Sequence, residues 1–153
     1  MGPQKQLTSQ MEDYLESIYH LCEEQGVARV KSIANRLLVS YPSVVGAIKN
    51  LKSRQLVHQE HYGYVRLTNE GQKIAVAVIY RHEVLTRFLM DILGLDMKIA
   101  SNDACKIEHA VSPETVQRLG AVAEFIENEP RINLDWEKEF KRFYKTYESR
   151  KPI

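Results

Sequence analysis

The segment NEGQKIAVAVIYRHEVLTRFLMDIL, residues 69–93, constrains the fold more than any other part of the chain. Its apolar side chains recur at helical spacing and cover more than half of the circumference of one long helix. A helix that apolar must be buried on two sides. It is therefore predicted to be a spine joining an N-terminal head to a second unit, with Gly94 as its stop. A chain of 153 residues is long enough for one good core or for two small domains that share one.

Upstream of the spine the pattern is helix, helix, helix, hairpin. Residues 8–25, TSQMEDYLESIYHLCEEQ, place Met11, Leu15, Ile18, Leu21 and Cys22 on one stripe; Thr8 or Ser9 can cap the start and Gly26 the end. In residues 29–40 the stripe is Ile33, Ala34, Leu37 and Leu38, with Ser32 as the candidate N-cap. A third helix opens at Ser40-Tyr41-Pro42, where a proline in the first turn loses no hydrogen bond. Val44, Val45, Ile48 and Leu51 are expected to face inward, leaving Ser43, Gly46, Ala47, Lys49, Asn50 and Lys52 outside. Val57, Gln59 and His61, then Tyr64 and Arg66, alternate around a turn at Tyr62-Gly63, and Thr68 or Asn69 caps the spine. This order predicts a winged helix-turn-helix, which offers its third helix to the major groove of DNA and its hairpin to the backbone or minor groove.

Downstream, residues 96–111 and 113–128 read as helices, the latter announced by Ser112-Pro113-Glu114. Leu119, Val122, Phe125 and Ile126 continue an apolar stripe that one small head cannot cover, so it is expected to build a dimer interface. The tail carries Leu134, Phe140, Phe143, Tyr144 and Tyr147 on a final helix. The expected fold is thus mainly α: a winged helix-turn-helix over 1–72 and a helical metal-binding and dimerisation domain over 73–153.

Charge follows the same division. Residues 26–75 hold eight Lys and Arg against two acids, between flanking stretches in which acids prevail, although the whole chain carries only +1. A basic block of this kind is an electrostatic footprint for nucleic acid. No apolar run approaches the roughly 18 residues of a membrane span, and the first residues lack the basic and apolar regions of a signal peptide. A cytoplasmic protein with no membrane partner is expected, its two cysteines kept as thiols. No repeat and no glycine-rich phosphate loop is found.

One stretch carries chemistry that a DNA-binding head does not need. In DACKIEHAVS, residues 103–112, Cys105, Glu108 and His109 stand at i, i+3 and i+4, which on a helix is one face. Asp13 and Glu16 are one turn apart on the first helix, and His82 lies in the middle of the spine. Taken singly, a helical His is commonly a hydrogen-bonded core residue and a pair of acids a solvated face. Taken together, oxygen, nitrogen and sulfur donors on three helices suit a transition metal better than Mg²⁺ or Ca²⁺, which prefer all-oxygen shells.

The blocks MEDYLESIYHL, ARVKSIANRL, YPSVVGAIKNL, YVRLTNEG, YRHEVLTRFL and ACKIEHAVS, in this order and spacing over residues 7–130, resemble the diphtheria-toxin-repressor family of metal-dependent repressors. The closer likeness is to its short manganese-transport-regulator branch. The resemblance implies that Asp13, Glu16, His82, Glu108 and His109 are metal ligands, and that Cys105 stands where the manganese branch has a bridging Glu and the iron branch a Cys. The iron branch pairs that Cys with Met at the position of Asp13, so the site is a hybrid. Ser101 and Thr86 stand where the iron branch's ancillary site has His and Glu, and no SH3-like domain is expected.

The resemblance further implies a homodimeric repressor, not an enzyme, that binds double-stranded operator DNA when loaded with metal and controls metal-uptake genes. Hard carboxylates favour Mn²⁺ or Fe²⁺, while a thiolate adds affinity for Fe²⁺, Co²⁺ or Zn²⁺. On the third helix Ser40, Pro42, Ser43, Val44, Gly46 and Ala47 sit on the leading turns where base edges are read, and Lys49, Lys52, Arg54 and Arg66 are expected at phosphates. Two other readings compete: a metal-independent repressor sensing oxidation through Cys105 or Cys22, and a hydrolytic metalloenzyme.

Overall fold

The structure is a computed structural model that describes residues 7–60, 63–129 and 136–150. It divides into two compact units, Met1–Ile79 and Tyr80–Ile153. The predicted turn residue Tyr62, the strand residue His61 and the tail residue Leu134 lie outside the described residues.

In the first unit, helix α1 (Ser9–Gln25) begins where the Thr8 hydroxyl accepts the Met11 N–H at 3.3 Å, satisfying a donor that the first turn leaves unpaired. It ends at Gly26, whose φ of 77° is the left-handed cap that a side chain would strain. Tyr14, Leu15, Ile18 and Leu21 enter the core from this helix. A two-residue strand β1 (Ala28–Arg29) comes next, then α2 (Val30–Leu37) and α3 (Tyr41–Ser53). Helix α2 starts before the predicted cap Ser32, because β1 holds the backbone extended up to Arg29 and no side chain caps the helix. Helix α3 starts as predicted, with the Ser40 hydroxyl accepting the Ser43 N–H at 3.4 Å and Pro42 in the first turn.

Strands β2 (Val57–Gln59) and β3 (Tyr64–Leu67) form the expected antiparallel hairpin, with Val57 opposite Leu67 and Gln59 opposite Val65. The sheet has a third member that periodicity could not disclose. β1 pairs with the other edge of β3, Ala28 opposite Val65, giving the order β1-β3-β2. Ala28, Val57 and Val65 close the core beneath it together with Ile33, Val44, Ile48 and Leu51. Thr68 ties the wing to the fourth helix. Its hydroxyl donates to the Gln55 carbonyl at 2.8 Å and accepts the Gly71 N–H at 3.1 Å, so it caps that helix.

This fourth helix, α4 (Asn69–Arg87), is shorter than the predicted spine. It passes into a π-helical turn over Phe88–Ile92, closed by the Leu93 N–H on the Phe88 carbonyl at 3.2 Å. Ala75, Val78 and Leu85 are buried along one stripe, whereas Val76 and Tyr80 are exposed, so the burial on two sides expected of this helix is not what α4 shows.

The second unit adds α5 (Met97–Ile107), capped by Asp96, and α6 (Pro113–Asn128), capped by Ser112 as the sequence indicates. The last helix, α7 (Trp136–Glu148), is held by its first residue. The Trp136 indole N–H donates to the Ile92 carbonyl at 2.9 Å, and its ring packs with Phe88 against Ile92, Ala123 and Ile126. An ion pair between Arg87 and Glu127 fastens the end of α4 to α6.

Gly71 is the tightest point of the first unit. A Cβ there would lie 2.0 Å from the Leu56 carbonyl oxygen, a backbone atom that cannot rotate away. Gly71→Ala is expected to destabilise this unit by about 1–3 kcal/mol, read as a lower thermal midpoint by circular dichroism; an unchanged midpoint would mean the wing yields instead.

Candidate metal centre and nucleic-acid interface

In the second unit, α4 supplies His82 and the end of α5 supplies the rest of a donor cluster. The helix stops at Ile107, so Cys105 lies on its last turn, Glu108 is the C-cap and His109 stands in the turn beyond. Glu108 is itself αR and its N–H still bonds the Ala104 carbonyl at 2.9 Å, so Cys105 and Glu108 keep the one-turn spacing expected of a shared face. Glu108 turns inward and is 2% exposed, while Cys105 is exposed.

An ionised carboxylate withdrawn from water needs compensation, and Glu108 has it on both oxygens. Oε2 is 2.7 Å from His82 Nδ1, and Oε1 is 3.3 Å from His109 Nε2. Cys105 Sγ approaches the same His82 nitrogen at 3.7 Å. The ligand atoms of His82, Cys105 and Glu108 lie within 4.8 Å of one another. One oxygen, one nitrogen and one sulfur donor at this spacing fit a transition metal and not Ca²⁺ or Mg²⁺.

In the first unit, Asp13 and Glu16 are each half-buried on α1, with Glu16 Oε1 3.6 Å from His20 Nε2. Ser101 and Thr86, both partly buried, offer only hydroxyls, which are poor ligands for a transition metal.

The DNA-facing assignments need two corrections. Val44 and Ala47 are buried in the core and cannot reach base edges. Val45, expected inside, is 55% exposed. The reason is phase: a helix starting at Tyr41 advances about 100° per residue, which aligns positions 44, 47, 48 and 51 and turns 45 outward. Ser40, Pro42, Ser43, Gly46, Lys49 and Lys52 are exposed as expected. Arg54 donates through Nε to Asn50 Oδ1 at 2.9 Å, and Arg66 is paired with Glu60 at 3.1 Å, which offsets part of its charge. Leu38, expected on the apolar stripe of the second helix, is 92% exposed, because α2 ends at Leu37 and position 38 turns left-handed; neither it nor exposed Tyr41 receives a functional role from sequence reasoning. Neither does Arg29, whose guanidinium lies 5.1 Å above the Tyr64 ring at the sheet edge. No periodic pattern links positions 29 and 64, so only the β1–β3 pairing could have found that contact.

The comparisons with known proteins agree with both halves of this geometry. Residues 6–65 match the family described as "Iron dependent repressor, N-terminal DNA binding domain", and residues 68–137 match "Iron dependent repressor, metal binding and dimerisation domain". The chain belongs to the iron-dependent repressor family. This repressor is 41% identical to the HTH-type transcriptional regulator MntR of Bacillus subtilis over 129 residues, 84% of this chain and 89% of that one. Among solved structures it is similar to the manganese regulator SloR, at a TM-score of 0.69 and 32% identity over 78% of this chain. It is also similar to the IdeR of T. acidophilum, at 0.65 and 29% over 75% of this chain. The repressor spans about half the length of those two structures, 55% and 53%. Family membership makes it a metal-responsive DNA-binding repressor with a divalent metal cofactor, and not an enzyme.

The two thiols differ sharply in setting. Cys22 Sγ donates to the Val65 carbonyl at 3.7 Å, and burial pushes its pKa up, which keeps it protonated and slow to react. Cys105 is exposed. In the metal-free repressor iodoacetamide is expected to label Cys105 at least about tenfold faster than Cys22, with Zn²⁺ protecting Cys105, as read by peptide mass spectrometry. Equal rates, or no protection, would contradict the assignment of Cys105 to the metal site.

Proposed function

We propose that this repressor binds double-stranded operator DNA as a homodimer when loaded with Mn²⁺ or Fe²⁺, and controls metal-uptake genes in the cytoplasm. Residues 1–72 form the DNA-binding domain and 73–153 the metal-binding and dimerisation domain in this reading. The observation that carries it is Glu108, a buried carboxylate with His82 and His109 on its two oxygens and Cys105 beside His82. These four residues would hold the metal, and Asp13 and Glu16 would complete its shell with hard oxygens. A metal so shared stabilises one arrangement of DNA-binding and dimerisation domains over others. It acts as an effector through that preference, typically worth about 1–3 kcal/mol. Two recognition helices held at one spacing then meet successive major grooves, about 34–36 Å apart.

Cys105 decides the metal within this reading. It removes the carboxylate that the manganese branch uses as a bridge and supplies sulfur, which shifts preference toward Fe²⁺ and Zn²⁺ and leaves cellular supply to select among ions. Manganese remains favoured by the two acids on α1 and is the metal named for the similar SloR.

The dimer surface would be the outer face of α6. Ala123 and Ile126 are buried on one side of that helix, while Val122 and Phe125 are exposed on the other, Phe125 at 58%. Large apolar side chains in such a row mark an interaction surface. Phe125→Glu is expected to give a monomer in sedimentation velocity; a persistent dimer would place the interface elsewhere.

Operator binding, titrated anaerobically with Mn²⁺, Fe²⁺, Co²⁺ and Zn²⁺ after chelation, tests the whole proposal. Glu108→Ala and His109→Ala are expected to abolish the metal response and keep the dimer. DNA binding that survives chelation and fails after peroxide would instead favour the thiol-sensing alternative.

A further inference from the structure

We propose that Leu38, in the turn entering α3, is a base-reading residue that recognises the 5-methyl group of a thymine in the operator, an inference that rests on the DNA-binding reading above. Leu38 is 92% exposed and has a φ of 54°. Its backbone N–H closes α2 on the Ala34 carbonyl, so the turn needs a left-handed residue at this point. Glycine or asparagine meets that need with little strain, whereas leucine does not. Packing offers no compensation, because the side chain stands in water. A residue unfavourable both in its backbone and in its hydration, in the turn that leads into the exposed helix of a DNA-binding domain, points to use by the ligand.

The surroundings identify that ligand. Leu38 lies two positions before the N-cap Ser40; Tyr41, 50% exposed, opens the helix, and exposed Val45 stands one turn later. Lys49 and Lys52 continue the exposed face of the same helix. From residue 25 to residue 59 the chain contains six Lys and Arg and no Asp or Glu. Apolar side chains at the head of a helix, within a segment free of acids, complement a polyanion that carries apolar groups in its groove. In the major groove the thymine methyl is that group, and no other base presents one. Gly46 adds an independent observation. It is exposed in mid-helix, and a Cβ there would meet nothing within 4 Å, so internal packing does not require glycine. Its absent side chain lets another surface approach the backbone closely.

The test uses the full chain loaded with Mn²⁺ and duplexes that it selects from a random library. Each thymine of a selected duplex is replaced in turn by deoxyuridine, which deletes only the methyl. The wild-type chain is expected to lose about fourfold in affinity at one thymine position of each half-site, the worth of one methyl withdrawn from water. Leu38→Asn, which suits the left-handed turn, is expected to unfold at or above the wild-type temperature and to bind a random duplex equally. It should bind the selected duplex more weakly and show no loss at that deoxyuridine. Leu38→Ala should lose the same methyl sensitivity, which separates the effect from any new hydrogen bond made by Asn. Variants that retain the wild-type pattern at every thymine overturn the inference, as does a change confined to self-association. A wild-type chain that selects no duplex with any of the four metals removes the DNA-binding reading and this inference together.

Discussion

A carboxylate almost wholly withdrawn from water is the constraint on which the second unit is organised. A buried carboxyl group needs polar partners, and the two oxygens of Glu108 take one from α4 and one from the turn after α5. Cys105, one turn earlier and exposed, reaches the imidazole on α4 from the outside. The cluster thus has an inner, hard member and an outer, soft one, and solvent meets the sulfur first.

Much of the first unit is legible in the sequence because its signals are local. Thr8 and Ser40 cap the helices whose starts they mark, and Gly26 ends α1; in the second unit Ser112 does the same for α6. The hairpin can be read from alternation alone. The features that escape such reading depend on pairing across the chain. Strand β1 has two residues and no period of its own; it exists because Val65 is opposite Ala28. Its presence then moves the start of α2 away from Ser32. On α3 the adjacent valines give two phases of nearly equal merit, one of which puts Val45 inside. The core takes Val44, and Ala47 with it. For the donor cluster the one-turn spacing of Cys105 and Glu108 is legible, but which of the two is buried is not, because that depends on packing against His82 of α4.

In the turn before α3 and along its exposed face, two residues are not the ones that backbone stability alone would select. Alanine at position 46 would suit the interior of α3 better than glycine, and asparagine at 38 would suit its turn better than leucine. Both residues lie on exposed surface with no internal contact that requires them. The segment is thus less stable than its backbone allows, and the difference lies at exposed positions. The core side of the same helix makes no such concession, with Val44, Ile48 and Leu51 packed beneath the sheet.

The π-helical turn at Phe88–Ile92 is where the fourth helix ends. Its wider ring accommodates one residue more than an α-helical turn and leads into the left-handed Gly94. The Arg87 pairing with Glu127 lies just before it, and the Trp136 bond to the Ile92 carbonyl lies at its end. The widened turn is thus pinned at both ends within one unit, by α6 through the ion pair and by α7 through the indole, so the point at which the helix unwinds is fixed by side chains remote in sequence.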